Sequence, residues 1–189
     1  PLGAHNWQAM SVDEEAGVVY IPAQDNPLIY GMSEDWTQSG LYKRNPGGWN
    51  TGLEFGRITQ LVVDNIADQP TPKGYLKAFD PLTGEDKWVV EIPHYWNGGV
   101  LSSAGGLVFQ GDALGMFTAY DKDTGEALWQ FNTYTSMLAP PITFEIDGEQ
   151  FVSVLTGTGG GDLFGGEPLP PVAEHASLWY NNYGRLLVV

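Results

Sequence analysis

The sequence predicts an all-β fold made of repeated small sheets, and two observations support this prediction. The first is a motif of the form Ala-x-Asp-x-x-Thr-Gly-x-x-x-Trp, which occurs at Ala78–Trp88 and again at Ala119–Trp129, 41 residues further on. The second is that much of the chain divides into short apolar runs separated by turn residues. A period of about 40–50 residues built from short strands is typical of the blades of a β-propeller.

Each part of the repeated motif has a structural role. The Asp-x-x-Thr-Gly segment predicts a tight turn, in which the carboxylate accepts backbone N–H groups and the glycine takes a positive φ. The strand after the turn carries a tryptophan that can pack between neighbouring blades, so we expect Trp88 and Trp129 to be structural. The same spacing from Asp13 to Gly17 indicates a third, degenerate copy that belongs to a partial blade.

The individual strands are predicted from short runs of β-branched and aromatic residues that end at glycine, proline, asparagine or aspartate. These runs are Val18–Ala23, Leu61–Val63, Gly74–Asp80, Lys87–Ile92, Leu101–Ala104, Leu107–Gly111, Met116–Asp121, Ala127–Phe131, Pro141–Glu145 and Gln150–Leu155. No ten-residue window has a helical stripe of apolar residues. Residues 24–57 have little periodicity and are predicted to form a long loop or insertion.

The number of repeats predicts an incomplete propeller. One partial and two clear units, together with a closing hairpin, make about three four-stranded blades, whereas propellers close with four to eight. Three blades alone would leave open edges and unpaired strands. We therefore expect residues 1–189 to be one portion of a propeller domain that is completed by another segment or chain.

Composition excludes several classes of function. The net charge of −15, from 8 basic and 23 acidic residues, disfavours binding to nucleic acid, which needs clustered lysine and arginine. The chain has no cysteine, which excludes disulfides, a Cys-x-x-Cys-His haem attachment and a thiolate metal site within it. The three histidines, His5, His94 and His175, lack the spacing of metal ligands.

Together, the motif and the order of several further blocks resemble the quinoprotein dehydrogenases, which are eight-bladed propellers that hold pyrroloquinoline quinone (PQQ). The match covers nearly the whole chain and is most similar to the C-terminal part of the PQQ-dependent alcohol dehydrogenases. The blocks that carry the resemblance are His5–Ser11, Gly17–Ala23, Trp96–Gly99, Gly105–Gly111, Ala139–Thr143 and Gly157–Gly161.

The resemblance implies a periplasmic enzyme that oxidises a small alcohol to an aldehyde by hydride transfer to PQQ. It also implies a Ca²⁺ or lanthanide ion beside the quinone, and cytochrome c or a quinone as electron acceptor. The family's catalytic aspartate and metal ligands have no match in this sequence, so the resemblance assigns no catalytic or metal-binding residue here. We therefore expect the chain to supply one wall of the PQQ site and to be inactive alone.

Four residues match cofactor-binding positions of the family: Asn6, Trp7, Trp96 and Gly161. An amide can bond to quinone oxygens, and an indole N–H can donate to a carbonyl or carboxylate. Gly98 and Gly99 after Trp96 permit close approach of the backbone. Gly161, with Asp162, resembles a loop over the mouth of the active site, where residue size affects the pocket.

Two alternatives to an enzyme are compatible with a propeller. A non-catalytic scaffold for protein–protein interaction shares this repeat, but it has no need for the polar and aromatic residues at Asn6, Trp7 and Trp96. A propeller of the WD40 type agrees less well with the sequence, since the tryptophans occupy a different place and no Trp-Asp pair ends a blade. The glycine-rich segment at Gly157 lacks the Lys-Ser/Thr of a phosphate-binding loop.

Overall fold

The fold is nearly all antiparallel β-sheet, in a computed structural model that describes residues 3–26, 30–32, 34–41, 44, 46–47, 50–54, 60–61, 63–64, 70–157 and 184–189. A short helix, α1, spans Glu34–Ser39. The strands are β1 (Ser11–Asp13), β2 (Val18–Asp25), β3 (Lys73–Asp80), β4 (Glu85–Ile92), β5 (Asn97–Ser102), β6 (Leu107–Asp112), β7 (Met116–Asp121), β8 (Ala127–Asn132), β9 (Ile142–Ile146), β10 (Glu149–Thr156) and β11 (Arg185–Val188).

The strands form three sheets that follow the chain. The first two sheets have four strands each, in the orders β1-β2-β3-β4 and β5-β6-β7-β8, and the third has three, in the order β11-β10-β9. Each is an antiparallel meander, and the arrangement is that of a partial propeller. The predicted all-β class and the predicted blade of four strands are confirmed.

The grouping of strands into blades differs from the prediction in one respect. The degenerate unit near Asp13 and the unit that carries the first motif belong to a single sheet, because β2 pairs with β3 from Val19↔Phe79 to Asp25↔Lys73. The chain leaves the sheet after Asp25 and returns at Lys73, and this excursion hides the pairing in the sequence. The count of about three blades holds, as two sheets of four strands and one of three.

The excursion between β2 and β3 also differs from its prediction. Residues 27–71 form a compact unit of their own, and helix α1 lies within the predicted loop 24–57, whereas β2 continues to Asp25. Residues 60–61 and 63–64 are helical, so the strand predicted at Leu61–Val63 is wrong. Three apolar residues are too few to distinguish a strand from a turn of helix. No helix in the described part of the chain has the length and apolar character needed to cross a membrane.

The Asp-x-x-Thr-Gly turns form as predicted. Asp121 Oδ1 accepts the N–H groups of Asp123 and Thr124 at 3.0 and 2.9 Å and the Thr124 hydroxyl at 2.9 Å. These hydrogen bonds, first from the Thr124 hydroxyl and then from the backbone, lower the pKa of Asp121. Gly125 ends the turn with a φ of 74°, which an L side chain rarely adopts.

The degenerate copy and the first motif make the same turn. Asp80 Oδ1 accepts from Leu82 N at 2.9 Å, and its pKa is lowered first by that bond. Asp13 Oδ1 accepts from Ala16 N at 3.0 Å, and this bond is the main cause of its lowered pKa. Gly84 and Gly17 take φ values of 79° and 66°. The third copy predicted at Asp13 is therefore confirmed.

The core lies between neighbouring sheets. One cluster joins the first sheet to the second, and another joins the second sheet to the third. The members of the first are Val18, Tyr20, Leu76, Ala78, Ile92, Val100, Val108 and Tyr120. The members of the second are Phe109, Phe117, Ala119, Met137, Val152 and Val154.

Trp88 connects the first two sheets. Its indole N–H donates to Lys122 O at 3.0 Å, and its ring lies 5.7 Å from the ring of Tyr20. A Cβ at Gly125 would come within 2.8 Å of the indole, so the glycine of one turn makes room for the tryptophan of the preceding sheet. The expected role of Trp88 in packing between blades is confirmed.

Trp129 occupies the equivalent place on the second sheet but remains 41% exposed. Its ring stacks on Phe131, with centroids 6.1 Å apart, and contacts Phe117 edge-on. The sequence after Trp129 has no further copy of the Asp-x-x-Thr-Gly turn. The equivalent of Gly125 is thus missing, and the expected inter-blade packing of Trp129 is incomplete in this chain.

Candidate functional site

The candidate site centres on Trp96, which lies immediately before β5. Its side chain is 7% exposed and packs in a small cluster with Ala113, Leu138 and the partly buried Tyr95. The indole Nε1 is buried and has no hydrogen-bond partner among the described residues. A buried N–H without a partner costs free energy, and such a group in a folded protein needs an explanation, one of which is a bound molecule or ion that accepts its hydrogen.

The backbone on both sides of Trp96 is fixed by several contacts. Asn97, 1% exposed, donates from Nδ2 to Ala23 O at 3.1 Å and to Tyr75 O at 3.3 Å, which ties the start of β5 to the first sheet. A Cβ at Gly98 would come within 2.7 Å of Met137 O, and one at Gly99 within 2.7 Å of the Pro140 side chain. The close approach that the glycines permit is therefore to the protein's own backbone and to Pro140.

The N-terminal segment brings Trp7 to Trp96. This segment is held at both ends, since Gln24 N donates to Ala4 O at 2.8 Å and Val100 N donates to Ala9 O at 2.9 Å. Trp7 and Trp96 meet edge to face, with ring centroids 6.1 Å apart and planes at 69°. Trp7 is 55% exposed, so one part of its ring contacts the buried indole while another faces solvent.

Three of the four predicted cofactor-binding residues can be located. Trp7 and Trp96 are in contact, and Asn6 lies next to Trp7 with its side chain exposed. Gly161 lies outside the described residues, as do Asp162 and His175. The assignment of all four residues to a cofactor stays a prediction.

Sequence reasoning missed three residues that position the site. His94 Nδ1 lies 3.0 Å from Trp96 N, and the His94 ring stacks on Tyr95 with centroids 4.6 Å apart. Gln110, 2% exposed, donates from Nε2 to Gly98 O at 3.0 Å. Asn97 is the third. A polar residue inside an apolar strand, as at Gln110, was a signal that could have been used.

The cluster around Trp96, formed with Ala113, Leu138 and Tyr95, contains no permanently charged side chain. Burial lowers the pKa of His94, and the contact with the Trp96 backbone only partly offsets this effect. Burial also raises the pKa of Tyr95. Across the ranges that the structure describes, no three histidine, aspartate or glutamate side chains are grouped so that they could hold a metal ion.

This arrangement suits a flat ligand with oxygen substituents. The exposed part of the Trp7 ring offers an apolar surface for stacking, and the Trp96 N–H offers a donor in a desolvated place. The quinone ring of PQQ, with its carbonyl and carboxylate oxygens, has this chemistry, so the residues present fit the cofactor that the sequence suggests.

A known protein family matches the middle of the chain. The family model for the β-propeller domain of glucose, ethanol and alcohol dehydrogenases, named for PQQ, matches residues 90–152. This range contains Trp96 and the whole second sheet.

Two curated relatives are similar over most of the chain. The quinohemoprotein alcohol dehydrogenase ADH IIB of Pseudomonas putida is 40% identical over 171 residues, which are 89% of this chain and 23% of the relative. The quinohemoprotein alcohol dehydrogenase of Comamonas testosteroni is 42% identical over 165 residues, 85% of this chain and 22% of the relative. The chain thus spans less than a quarter of the length of these relatives.

Solved structures agree with the fold. The crystal structure of the Comamonas testosteroni enzyme superimposes with a TM-score of 0.68 at 40% identity, covering 83% of this chain and 23% of that one. A europium-containing methanol dehydrogenase superimposes with a TM-score of 0.72 over 99% of this chain and 33% of its own, at 21% identity, which supports the fold alone. These matches and the family model confirm the predicted resemblance.

Proposed function

We propose that this chain belongs to the family of PQQ-dependent alcohol dehydrogenases and is part of an enzyme that oxidises a small alcohol to an aldehyde. The family model and the two relatives above support the reaction class. The chemistry that PQQ supplies when bound is acceptance of a hydride from the alcohol carbon at a quinone carbonyl.

The role of this chain is to form one wall of the PQQ site. The observation that carries the proposal is the buried Trp96 Nε1–H, which has no partner in the described part of the chain and lies beside the half-exposed Trp7. When PQQ is bound, the Trp96 N–H would donate to one of its oxygens, and the exposed part of the Trp7 ring would pack against it. The amide of Asn6 belongs to the same wall, and Gly161, which lies outside the described residues, is assigned to it from the sequence alone.

The catalytic base and the metal ligands come from outside this chain. A Ca²⁺ or lanthanide ion beside the quinone is part of the proposal, with its ligands in the remaining propeller. The acceptor of the electrons is cytochrome c or a quinone. Relatives named alcohol dehydrogenase (quinone) support a quinone as acceptor, and the name quinohemoprotein alcohol dehydrogenase indicates a haem in that relative. The proposed location is the periplasm.

An exposed apolar face on the third sheet supports the proposal that a further propeller segment packs against this chain. One face of this sheet packs Val152 and Val154 against the second sheet, while the opposite face is apolar and exposed. The exposed residues are Ile142 (61%), Phe144 (36%), Ile146 (55%), Leu155 (59%), Leu186 (65%) and Val188 (46%). An exposed face of six apolar residues is typical of an interface. The next blade of the same propeller is the occupant that we propose, because the second sheet covers the first in the same way.

Reconstitution of the complete protein with PQQ and Ca²⁺ tests the proposal. Primary alcohols should reduce an artificial electron acceptor at a rate that depends on added PQQ, and the PQQ-free protein should give no reaction. A complete protein that binds no quinone and oxidises no alcohol would overturn the proposal. That result would favour the non-catalytic propeller scaffold.

A further inference from the structure

The side chain of His94 contacts the backbone of Trp96. Its Nδ1 lies 3.0 Å from Trp96 N and 3.3 Å from Trp96 O. The shorter contact requires that Nδ1 accept the hydrogen of the backbone N–H, which leaves the proton of the neutral ring on Nε2. Neutral His94 and the Trp96 amide are therefore matched as acceptor and donor.

The position of His94 is itself fixed from two sides. Gly74 of β3 has no room for a Cβ, because the His94 carbonyl lies against it. Tyr95 stacks on the imidazole and also contacts the Trp96 ring edge-on, with centroids 6.2 Å apart and planes at 65°. The imidazole therefore contacts Trp96 directly through a hydrogen bond and indirectly through the ring of Tyr95. The proposed function uses neither contact.

We propose that His94 is a positioning residue of the quinone site, whose neutral imidazole holds the Trp96 backbone so that the buried indole N–H stays available to the ligand. This inference rests on the proposed function. His94 touches neither the alcohol nor the reacting atoms, and it acts through Trp96.

Protonation of His94 reverses its contact with Trp96. Nδ1 of the imidazolium carries a hydrogen, so it opposes the Trp96 N–H and can be satisfied only by turning toward the Trp96 carbonyl. Burial favours the neutral ring and lowers the pKa of His94 below the ordinary value of about 6.5. Within the described ranges, the titratable side chain stacked on the ring is that of Tyr95, and on the strands β3 and β4 Lys73 and Glu91 pair with each other at 3.0 Å.

The test is the affinity of the complete protein for PQQ from pH 8 down to the acid limit of the folded protein, measured from quenching of tryptophan emission. Neutral His94 is the binding-competent form, so affinity should hold at neutral pH and fall as the pH drops through the lowered pKa. His94→Asn places an amide oxygen near the position of Nδ1 and does not titrate. This variant should bind PQQ as the wild type does at pH 8 and lose the weakening at low pH.

Two further variants complete the design. His94→Ala removes the acceptor, so at pH 8 its affinity should be about two- to tenfold below that of the wild type, and it should lose the weakening at low pH. His5→Asn changes the other histidine of the described residues and should keep the pH dependence of the wild type. If His94→Asn keeps the wild-type pH dependence, or if His94→Ala binds PQQ as tightly as the wild type, the assignment of His94 is wrong.

A quinone-free measurement separates this inference from the proposed function. The emission of Trp96, obtained as the difference between the wild type and Trp96→Phe without PQQ, should change with pH in the wild type and stay constant in His94→Asn. Absence of PQQ binding at every pH would overturn the proposed function. Absence of any pH-dependent change in the Trp96 emission of the wild type would overturn the role of His94.

Discussion

Trp88 can pack on the second sheet because Gly125 has only a hydrogen atom as its side chain. We expect Gly125→Ala to lower the free energy of unfolding through two effects. The φ of 74° is strained for alanine, at about 1–2 kcal/mol, and the Cβ would come within 2.8 Å of the Trp88 ring. Overpacking of this kind costs about 1–3 kcal/mol more. Urea denaturation of the complete protein measures the sum.

Gly84 offers the matched control for this prediction. It occupies the same place in the first motif with a φ of 79°, but nothing lies within 4 Å of where its Cβ would be. Gly84→Ala should therefore show the conformational strain alone. Equal losses of stability in the two variants would mean that the Trp88 contact contributes nothing.

At the same scale, the sequence offered candidates for the cofactor contact but not the residues that hold them. Trp96 and Trp7 were selected because they match cofactor-binding positions of the family that the sequence resembles, and their contact with a cofactor stays a prediction. His94 could not be selected, since its role depends on a hydrogen bond to a residue two positions away and on a ring stacked beside it. Neither contact leaves a spacing pattern in the sequence.

Among the structural elements, the aspartate turns make stability depend on pH. Hydrogen bonds from Thr124 and the backbone lower the pKa of Asp121 in the folded protein below its ordinary value of 3.8. The resulting stability is present above that value and is lost as the pH falls through the lower folded-state pKa. Asp121→Asn keeps an acceptor oxygen but does not titrate, so its urea midpoint should decline less steeply with acid between pH 5 and pH 2.

The adjacent Asp123 provides the comparison for this turn. Its carboxylate pairs with Lys122 at 3.3 Å on the exposed surface instead of capping the turn. Asp123→Asn should retain the acid dependence of the wild type. An identical acid profile in Asp121→Asn would show that the turn hydrogen bonds do not couple to folding.

Elements whose partners are close in sequence were predicted well, and those with distant partners were not. The strands β5 to β8 follow one another through short turns, and their apolar runs and glycines define them. The pairing of β2 with β3 spans the excursion from Asp25 to Lys73, so the sequence suggested two units where the structure has one sheet. The helical residues at 60–61 and 63–64 were misread because an apolar run of three residues has no distinct period.

For the molecule as a whole, the proposal assigns the open face of the third sheet to contact with the next blade. Leu155 of β10, 59% exposed on this face, should become buried in the complete propeller. We expect Leu155→Asp to lower the stability of the complete protein by about 2 kcal/mol or more, since it buries a carboxylate without a partner. The melting temperature of the purified complete protein measures this effect.

A charged substitution elsewhere on the surface should be harmless by contrast. Leu82 lies in the turn of the first motif and is 92% exposed, so Leu82→Asp is the matched control. If Leu155→Asp melts at the temperature of the wild type, the face is not covered by another blade. The count of blades predicted this incompleteness from the sequence, but which sheet face stays open follows only from the register of β9, β10 and β11.

The central claim is that this chain supplies the Trp96 N–H to a bound quinone, and the dissociation constant for PQQ tests it most directly. Trp96→Phe in the complete protein should weaken PQQ binding by about two- to tenfold, because the hydrogen bond is lost while an aromatic ring stays at this position. Trp129→Phe, a change at an exposed tryptophan outside the site, should leave the constant unchanged. Equal affinity in the wild type and in Trp96→Phe would contradict the account.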